Sequence, residues 1–359
     1  MIPDCTLTTA CIDLTPYHKY ARSIETAINN MRPLLEVPCY LHIFTDKTCV
    51  EQIKSIRSSC NLSELTHYTI LEMRFLPKYK YLDTVKENRE KYHPTKDERT
   101  CAETHILNIS KPDFVLKTMN TNPFNTSKFG WIDANVGPQF SNICTNYENN
   151  TLLYVLKNIT EKFHIQVMNT CDKKYKNSEH KREYYSKYQW LVCGGLFTTS
   201  VKIGKLILNR LNEIAIETIN MGYGHGEEML FLEILDEYYD SIERSYGDYK
   251  MILNNFIRPS VGYHYIDNNI IIKNLNFGYN RDCYDCCEKL LHEIEHYHVK
   301  IEYNTYFSIL MSYFISAYYH NYNEAKEIAN HIRYLIKINP YIKAQYETSP
   351  YYEAQLRCV

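Results

Sequence analysis

Long apolar runs, glycine and proline are all scarce in this sequence. No stretch approaches the roughly 18 apolar residues of a membrane-spanning helix, so none is predicted. The 359 residues include 11 Gly and 12 Pro, which excludes collagen-like and low-complexity classes. The first residues lack a basic segment followed by an apolar one, so we expect an unexported, cytoplasmic protein.

An excess of either charge is also absent. Forty Lys and Arg stand against 42 Asp and Glu, and the formal net charge is −2. No basic field attracts nucleic acid or anionic lipid, so we expect no nucleic-acid partner. The 13 cysteines are an odd number in a chain long enough to bury a core. This pattern favours free thiols in a reducing compartment over a disulfide framework.

Short apolar runs alternate with helical patterns in the first part of the chain. Residues 7–14, 40–46 and 66–71 predict strands, while residues 20–35 and 50–58 have helical spacing. Nearly all-apolar strands that alternate with helices predict an α/β fold, with a mainly parallel sheet covered by helices on both faces. Ligands of such sheets bind at the carboxyl ends of the strands.

Asp133 and Asn135 directly follow one such apolar run, Phe129-Gly130-Trp131-Ile132. A carboxylate and an amide carbonyl two residues apart are hard oxygen donors, which suits Mg²⁺ or Mn²⁺ shared with a diphosphate. Asp and Asn are also ordinary turn residues, so the pattern alone leaves a plain turn open.

Several motifs around Asp133 occur in a recognisable order. Residues 111–129 are helix-like, contain Lys117 and Asn122-Pro123-Phe124, and lead into the Asp133 strand; Thr8-Thr9-Ala10 and Ile43-Phe44-Thr45-Asp46 lie on the first two strands. Over roughly residues 5–270 the chain resembles the HtrL/YibB-like family of proposed glycosyltransferases. The resemblance implies a GT-A nucleotide-diphospho-sugar transferase fold, whose Asp-x-Asp element binds the metal and the diphosphate. Asn135 replaces the second acid and removes one charge.

The resemblance also implies roles for particular residues. The donor would contact Thr9, Ala10, Lys117, Asp133 and a wall formed by Gly194 and Gly195. Glu227 or Glu228 would act as general base on the acceptor hydroxyl. The metal ligands would be Asp133, Asn135 and His264.

Each of these later motifs has a plainer interpretation. Gly194 and Gly195 interrupt a strand-like run in residues 190–197 and also suit a bulge. Glu227 and Glu228 precede a helical pattern, where the helix dipole favours acids without any catalytic role. His264 lies in residues 260–266, which predict a strand, and a lone His is often only packed or exposed.

The chain is expected to divide into a GT-A-like catalytic domain, residues 1–275, and a C-terminal helical region, residues 276–359. Helical patterns end near His298 and cover residues 305–319 and 323–338. Zinc-like spacings occur in this region but lack a second well-spaced Cys pair, so coincidence is favoured; they involve Cys283, Cys286, Cys287, His292, His296 and His298. Residues 169–188, rich in Lys and Tyr, predict a loop that closes over the substrates.

The resemblance therefore implies a hexosyl- or N-acetylhexosaminyl-transferase that uses Mn²⁺ or Mg²⁺. Its donor would be a nucleotide-diphospho-sugar, and a UDP-sugar is the donor we expect because it is the commonest case. Its acceptor would be a hydroxyl group on a glycan or protein. The alternative is a catalytically inactive GT-A-like scaffold protein that acts through its C-terminal helices, because the altered Asp-x-Asn element would allow loss of activity.

Overall fold

The computed structural model describes residues 2–92, 101–135, 151–223, 226–258, 262–320 and 323–357. The chain forms two compact units. The N-terminal unit comprises residues 1–167 and 174–257, and the C-terminal unit comprises residues 168–173 and 258–359. The predicted domain boundary, after residue 275, lies inside the C-terminal unit.

A seven-stranded sheet forms the centre of the N-terminal unit. The strand order is β3-β2-β1-β4-β6-β5-β7, and among the described strands only β6 runs antiparallel to its neighbours. In chain order, β1 to β7 are Cys5–Cys11, Tyr40–Thr45, Thr66–Ile70, Lys128–Ile132, Phe163–Val167, Val192–Ser200 and Ile242–Tyr246. The predicted α/β class with a mainly parallel sheet is confirmed.

Helices connect these strands, as the alternating sequence pattern predicts. The described α-helices of this unit are Ile24–Leu35, Val50–Ser59, Leu82–Tyr92, Ala102–Ile109, Lys111–Thr121, Thr151–Lys157, Lys181–Tyr185, Val201–Asn220, Phe231–Glu237 and Ile252–Asn255. The predicted loop over residues 169–188 contains three short helical segments, Lys173–Lys176, Ser178–His180 and Lys181–Tyr185.

The centre of the sheet is buried on both faces. All nine residues of β6 are buried, which explains its nearly continuous run of apolar and small residues. Gly130 of β4 is needed for this packing, because a Cβ there would lie 2.6 Å from the Phe197 carbonyl oxygen of β6. The glycine therefore keeps β4 and β6 in register up to the carboxyl end of β4.

The C-terminal unit is helical, as the sequence predicts. Its α-helices are Tyr263–Ile266, Ile272–Asn276, Asn280–His296, Tyr303–Tyr319, Ala325–Ile338, Pro340–Glu347 and Pro350–Arg357, and a π-helical turn, Asp267–Ile271, joins the first two. The strand prediction for residues 260–266 is wrong where the chain is described, because residues 263–266 are helical. A short apolar run does not distinguish the two states. Residues 260 and 261 lie outside the described part.

The cysteines of the zinc-like pattern belong to the core of this unit. Cys283, Cys286 and Cys287 are fully buried in the helix Asn280–His296, and burial raises the pKa of the Cys286 and Cys287 thiols well above the usual value. His292 and His296 are exposed and stack on each other. In the described part of the chain, no three His, Cys, Asp or Glu side chains are placed to hold a metal ion.

The described helices have at most 20 residues. Among them, no helix is long and apolar enough to cross a bilayer.

Candidate active site

The candidate active site lies at the carboxyl end of β4, where Asp133 follows the strand. The Asp133 N–H donates to the Gly195 carbonyl of β6 at 2.9 Å, which continues the pairing of the two strands by one residue. The Trp131 indole N–H donates to Asp133 Oδ1 at 2.6 Å. Backbone and side-chain contacts together fix the position of this carboxylate.

Lys111 joins three parts of the site. It is the first residue of the helix Lys111–Thr121, and its side chain is buried. Its ammonium lies 2.7 Å from Asp133 Oδ1 and donates to Glu227 Oε1 at 2.5 Å and to the Gly194 carbonyl at 3.0 Å. One buried cation thus bridges two carboxylates and the backbone of β6.

The charges of this cluster depend on one another. Burial by itself lowers the pKa of Lys111, but the carboxylates of Asp133 and Glu227 raise it above its usual value. Burial raises the pKa of Glu227, and Lys111 opposes that shift. Lys111 is therefore a permanent cation, and it stabilises the ionised form of the buried Glu227.

Glu228 lies beside the cluster and is bound to the β6 backbone. The Gly194 N–H donates to Glu228 Oε1 at 3.1 Å. Burial, followed by the charge of Glu227, raises the pKa of Glu228 to about 8. This carboxyl can therefore exchange a proton near neutral pH, which is the property of a general acid or base.

The two glycines of β6 have different neighbours. A Cβ on Gly194 would lie 2.2 Å from Glu227 Oε1, so this glycine makes room for the glutamate. A Cβ on Gly195 would lie 3.7 Å from Asp133 Oδ2 and 3.6 Å from the Tyr249 hydroxyl, which is ordinary contact. Gly195 therefore leaves a small space open beside the free edge of the Asp133 carboxylate.

Three other predicted donor contacts lie on the helix Lys111–Thr121 and on β1. Lys117 is exposed, and its ammonium lies 5.8 Å from the centre of the Phe44 ring. Thr9 and Ala10 lie on β1, the strand that pairs with β4. Thr9 is buried, and its hydroxyl oxygen has no hydrogen-bond partner.

The resemblance implies two further metal ligands, Asn135 and His264. Asn135 Oδ1 accepts a long hydrogen bond, 3.4 Å, from the Asn30 side chain. His264 belongs to the C-terminal unit, where it is exposed and its ring nitrogens lie within 3.2 Å of the Asn268 amide. Both assignments stay predictions.

Sequence reasoning missed Lys111, Tyr249 and Tyr188. Burial, followed by nearby groups that include Asp133 and Glu228, raises the pKa of the Tyr249 hydroxyl, and burial followed by Glu228 and Glu227 raises that of Tyr188. Lys111 did carry a signal in the sequence. A lysine at the first position of a helix is unfavourable, because its charge has the same sign as the N-terminal end of the helix dipole. A residue that is locally unfavourable in this way indicates a partner elsewhere in the fold.

Comparisons with known proteins show a family and a similar solved structure. Residues 3–221, more than half of the chain, match the family model described as "Bacterial protein of unknown function (HtrL_YibB)". The crystal structure of apo mouse xyloside xylosyltransferase 1 matches at 8% identity with a TM-score of 0.36, covering 68% of this chain and 85% of that chain. This similarity is too low to transfer an activity or a substrate. No curated protein matches the chain.

Proposed function

The chain belongs to the HtrL/YibB family, which is described as of unknown function, and we propose from the chemistry of its site that it is a glycosyltransferase. Its donor is a nucleotide-diphospho-sugar, and its acceptor is a hydroxyl group. The sugar passes to the acceptor oxygen while the acceptor proton moves to a base and the nucleoside diphosphate leaves.

The observation that carries this proposal is the buried Lys111 ammonium between Asp133 and Glu227. It lies at the carboxyl end of a parallel strand, where α/β sheets bind their ligands. The three N–H groups of Lys111 are engaged by Asp133, Glu227 and the Gly194 carbonyl. Lys111 therefore holds the Asp133 carboxylate in position, and a cation bound to that carboxylate would favour the negative charge on a leaving diphosphate. The neighbouring Glu228, with a pKa of about 8, suits the removal of a proton from the acceptor hydroxyl.

We propose that a divalent cation binds at Asp133. Asp133 Oδ1 is occupied by Lys111 and Trp131, whereas Oδ2 faces the space that Gly195 leaves open. Asp133 Oδ2 and Asn135 Oδ1 would hold Mn²⁺ or Mg²⁺, with the remaining ligands from water and diphosphate. When bound, the cation would offset negative charge on the leaving group.

The class of donor rests on the family resemblance. We propose a UDP-sugar, with a hexosyl or N-acetylhexosaminyl group as the one transferred. Thr9 and Ala10, on the strand beside β4, are the proposed contacts on the nucleotide side of Asp133.

Release of UDP from UDP-glucose, UDP-galactose and UDP-N-acetylglucosamine, with and without Mn²⁺, tests the proposal. We expect Mn²⁺-stimulated release from at least one donor, and a decrease of about 100-fold or more in Asp133→Ala. Asp83→Ala, on an exposed side chain of the helix Leu82–Tyr92, is the matched control and should match wild type. No release from any donor favours the inactive scaffold instead.

A further inference from the structure

The two tryptophans of the chain have opposite environments. Trp131 is 3% exposed and donates to Asp133, whereas Trp190 is 55% exposed. Tryptophan is highly buried on average in folded proteins. An exposed indole gives up the free energy of burying a large apolar surface, and such residues are enriched where a ligand or partner later covers them.

Trp190 lies at the same edge of the sheet as Asp133. It precedes β6 by two positions, and β6 runs antiparallel to β4. The start of β6 therefore lies at the edge where β4 ends, and the Asp133–Gly195 hydrogen bond marks that edge. In the strand order β1-β4-β6, Trp190 is on the opposite side of Asp133 from Thr9 and Ala10.

Tyr188 connects Trp190 to the glutamates. The two rings pack with centroids 4.8 Å apart at an interplanar angle of 51°. The Tyr188 hydroxyl lies 3.7 Å from the position of a Cβ on Gly226, which directly precedes Glu227 and Glu228. Burial, followed by the charges of Glu228 and Glu227, raises the pKa of this hydroxyl. The exposed indole is thus held by a residue that borders the proposed general base.

We propose that Trp190 is the platform on which the acceptor stacks, and that the acceptor is a saccharide. The C–H face of a sugar ring carries slight positive charge and packs against the negative face of an aromatic ring. The hydroxyl groups at the edge of the sugar ring stay hydrated or hydrogen-bonded. One exposed indole is therefore enough to bind the apolar face of an otherwise polar ligand. The inference rests on the proposed function. It places the acceptor at Trp190, because the proposed nucleotide contacts, Thr9 and Ala10, lie on β1 at the other side of Asp133.

Titration calorimetry with cellotriose, chitotriose, maltotriose and lactose tests this assignment. We expect at least one saccharide to bind wild type and to quench its tryptophan fluorescence, since Trp190 is the exposed indole. Trp190→Ala should weaken that binding about tenfold or more, and Trp190→Phe should restore it to within about threefold. Phe75→Ala, which removes another exposed aromatic side chain of the same unit, should bind as wild type does.

Binding of UDP to the same preparations separates this inference from the proposed function. If UDP binds both wild type and Trp190→Ala but none of the saccharides binds wild type, the acceptor inference is overturned and the transferase proposal stands. Equal saccharide binding by wild type and Trp190→Ala also overturns the inference. If neither UDP nor any saccharide binds wild type, both proposals fail.

Discussion

At the scale of single residues, the electrostatics of the candidate active site depend on Lys111. Its ammonium is the contact that Asp133 and Glu227 share. Removing one partner of a buried ion pair costs more than the pair contributes, because the remaining charge is left without compensation. Lys117, on the same helix, is exposed and provides a matched comparison.

We expect Lys111→Met to lower the free energy of unfolding by about 3–5 kcal/mol, because two carboxylates lose their buried counter-charge. Lys117→Met should change it by about 0.5 kcal/mol or less, as is usual for exposed positions. Urea unfolding of the two variants measures both quantities. Equal losses in the two variants would contradict the assignment of Lys111 as the central cation.

Glu228 gives a prediction about pH. Its pKa is raised to about 8, and a general base acts only in its deprotonated form. Transfer should therefore increase as pH rises and level off above about 8. Glu228→Gln should lower the rate by about 100-fold or more and leave a residual rate without this pH dependence. Rates of UDP release in the presence of a bound acceptor, measured from pH 6 to 9, check this. A wild-type rate that falls across this range would assign Glu228 the role of acid instead.

At the scale of elements, strand β6 builds one wall of the site with two adjacent glycines. Gly194 accommodates Glu227, and Gly195 accommodates the Asp133 carboxylate and the Tyr249 hydroxyl. The apolar runs in the sequence predict this strand and most of the others, because a strand buried on both faces has to be apolar. Residue 263 onward is helical instead, because four apolar or aromatic residues suit either state.

The two glycines should respond differently to alanine. In Gly194→Ala the new Cβ overlaps Glu227 Oε1, which Lys111 holds in place, so we expect a loss of about 1–3 kcal/mol in unfolding free energy. Gly195→Ala makes only ordinary contacts and should fold as wild type does. It fills the space beside Asp133 Oδ2, however, so UDP release should fall. Thermal unfolding and UDP release of both variants test this contrast, and an active Gly195→Ala enzyme would contradict it.

The composition of the site could be predicted only in part from the sequence. Asp133 is recognisable because it ends an apolar strand, and Glu227 and Glu228 because they begin a helical pattern. The choice between Lys111 and Lys117 depends on which face of their common helix is buried. Lys111 lies three and four residues before the buried Phe114 and Val115, whereas Lys117 is exposed. The helical period gives the face, but the pairing of Lys111 with Asp133 and Glu227 joins distant parts of the chain, and periodicity does not encode such a pairing.

At the scale of the whole molecule, the chain combines a sheet unit with a helical unit. The family match ends at residue 221, so Asp133 and Lys111 lie inside the matched segment and Glu227, Glu228 and Tyr249 lie beyond it. The formal net charge of the chain is only −2. This small net charge agrees with a site whose charged groups form one buried cluster and are not spread over the protein surface.

We propose that Asp133 belongs to a binding site for a nucleoside diphosphate. Thermal unfolding with UDP, GDP, ADP and UDP-sugars at millimolar concentration, with and without Mn²⁺, tests it most directly, because a ligand of the folded state must raise the melting temperature. We predict a Mn²⁺-dependent rise with one nucleotide in wild type and Asp83→Ala, and none in Asp133→Ala. No rise with any of these compounds, or an equal rise in Asp133→Ala, would contradict the claim.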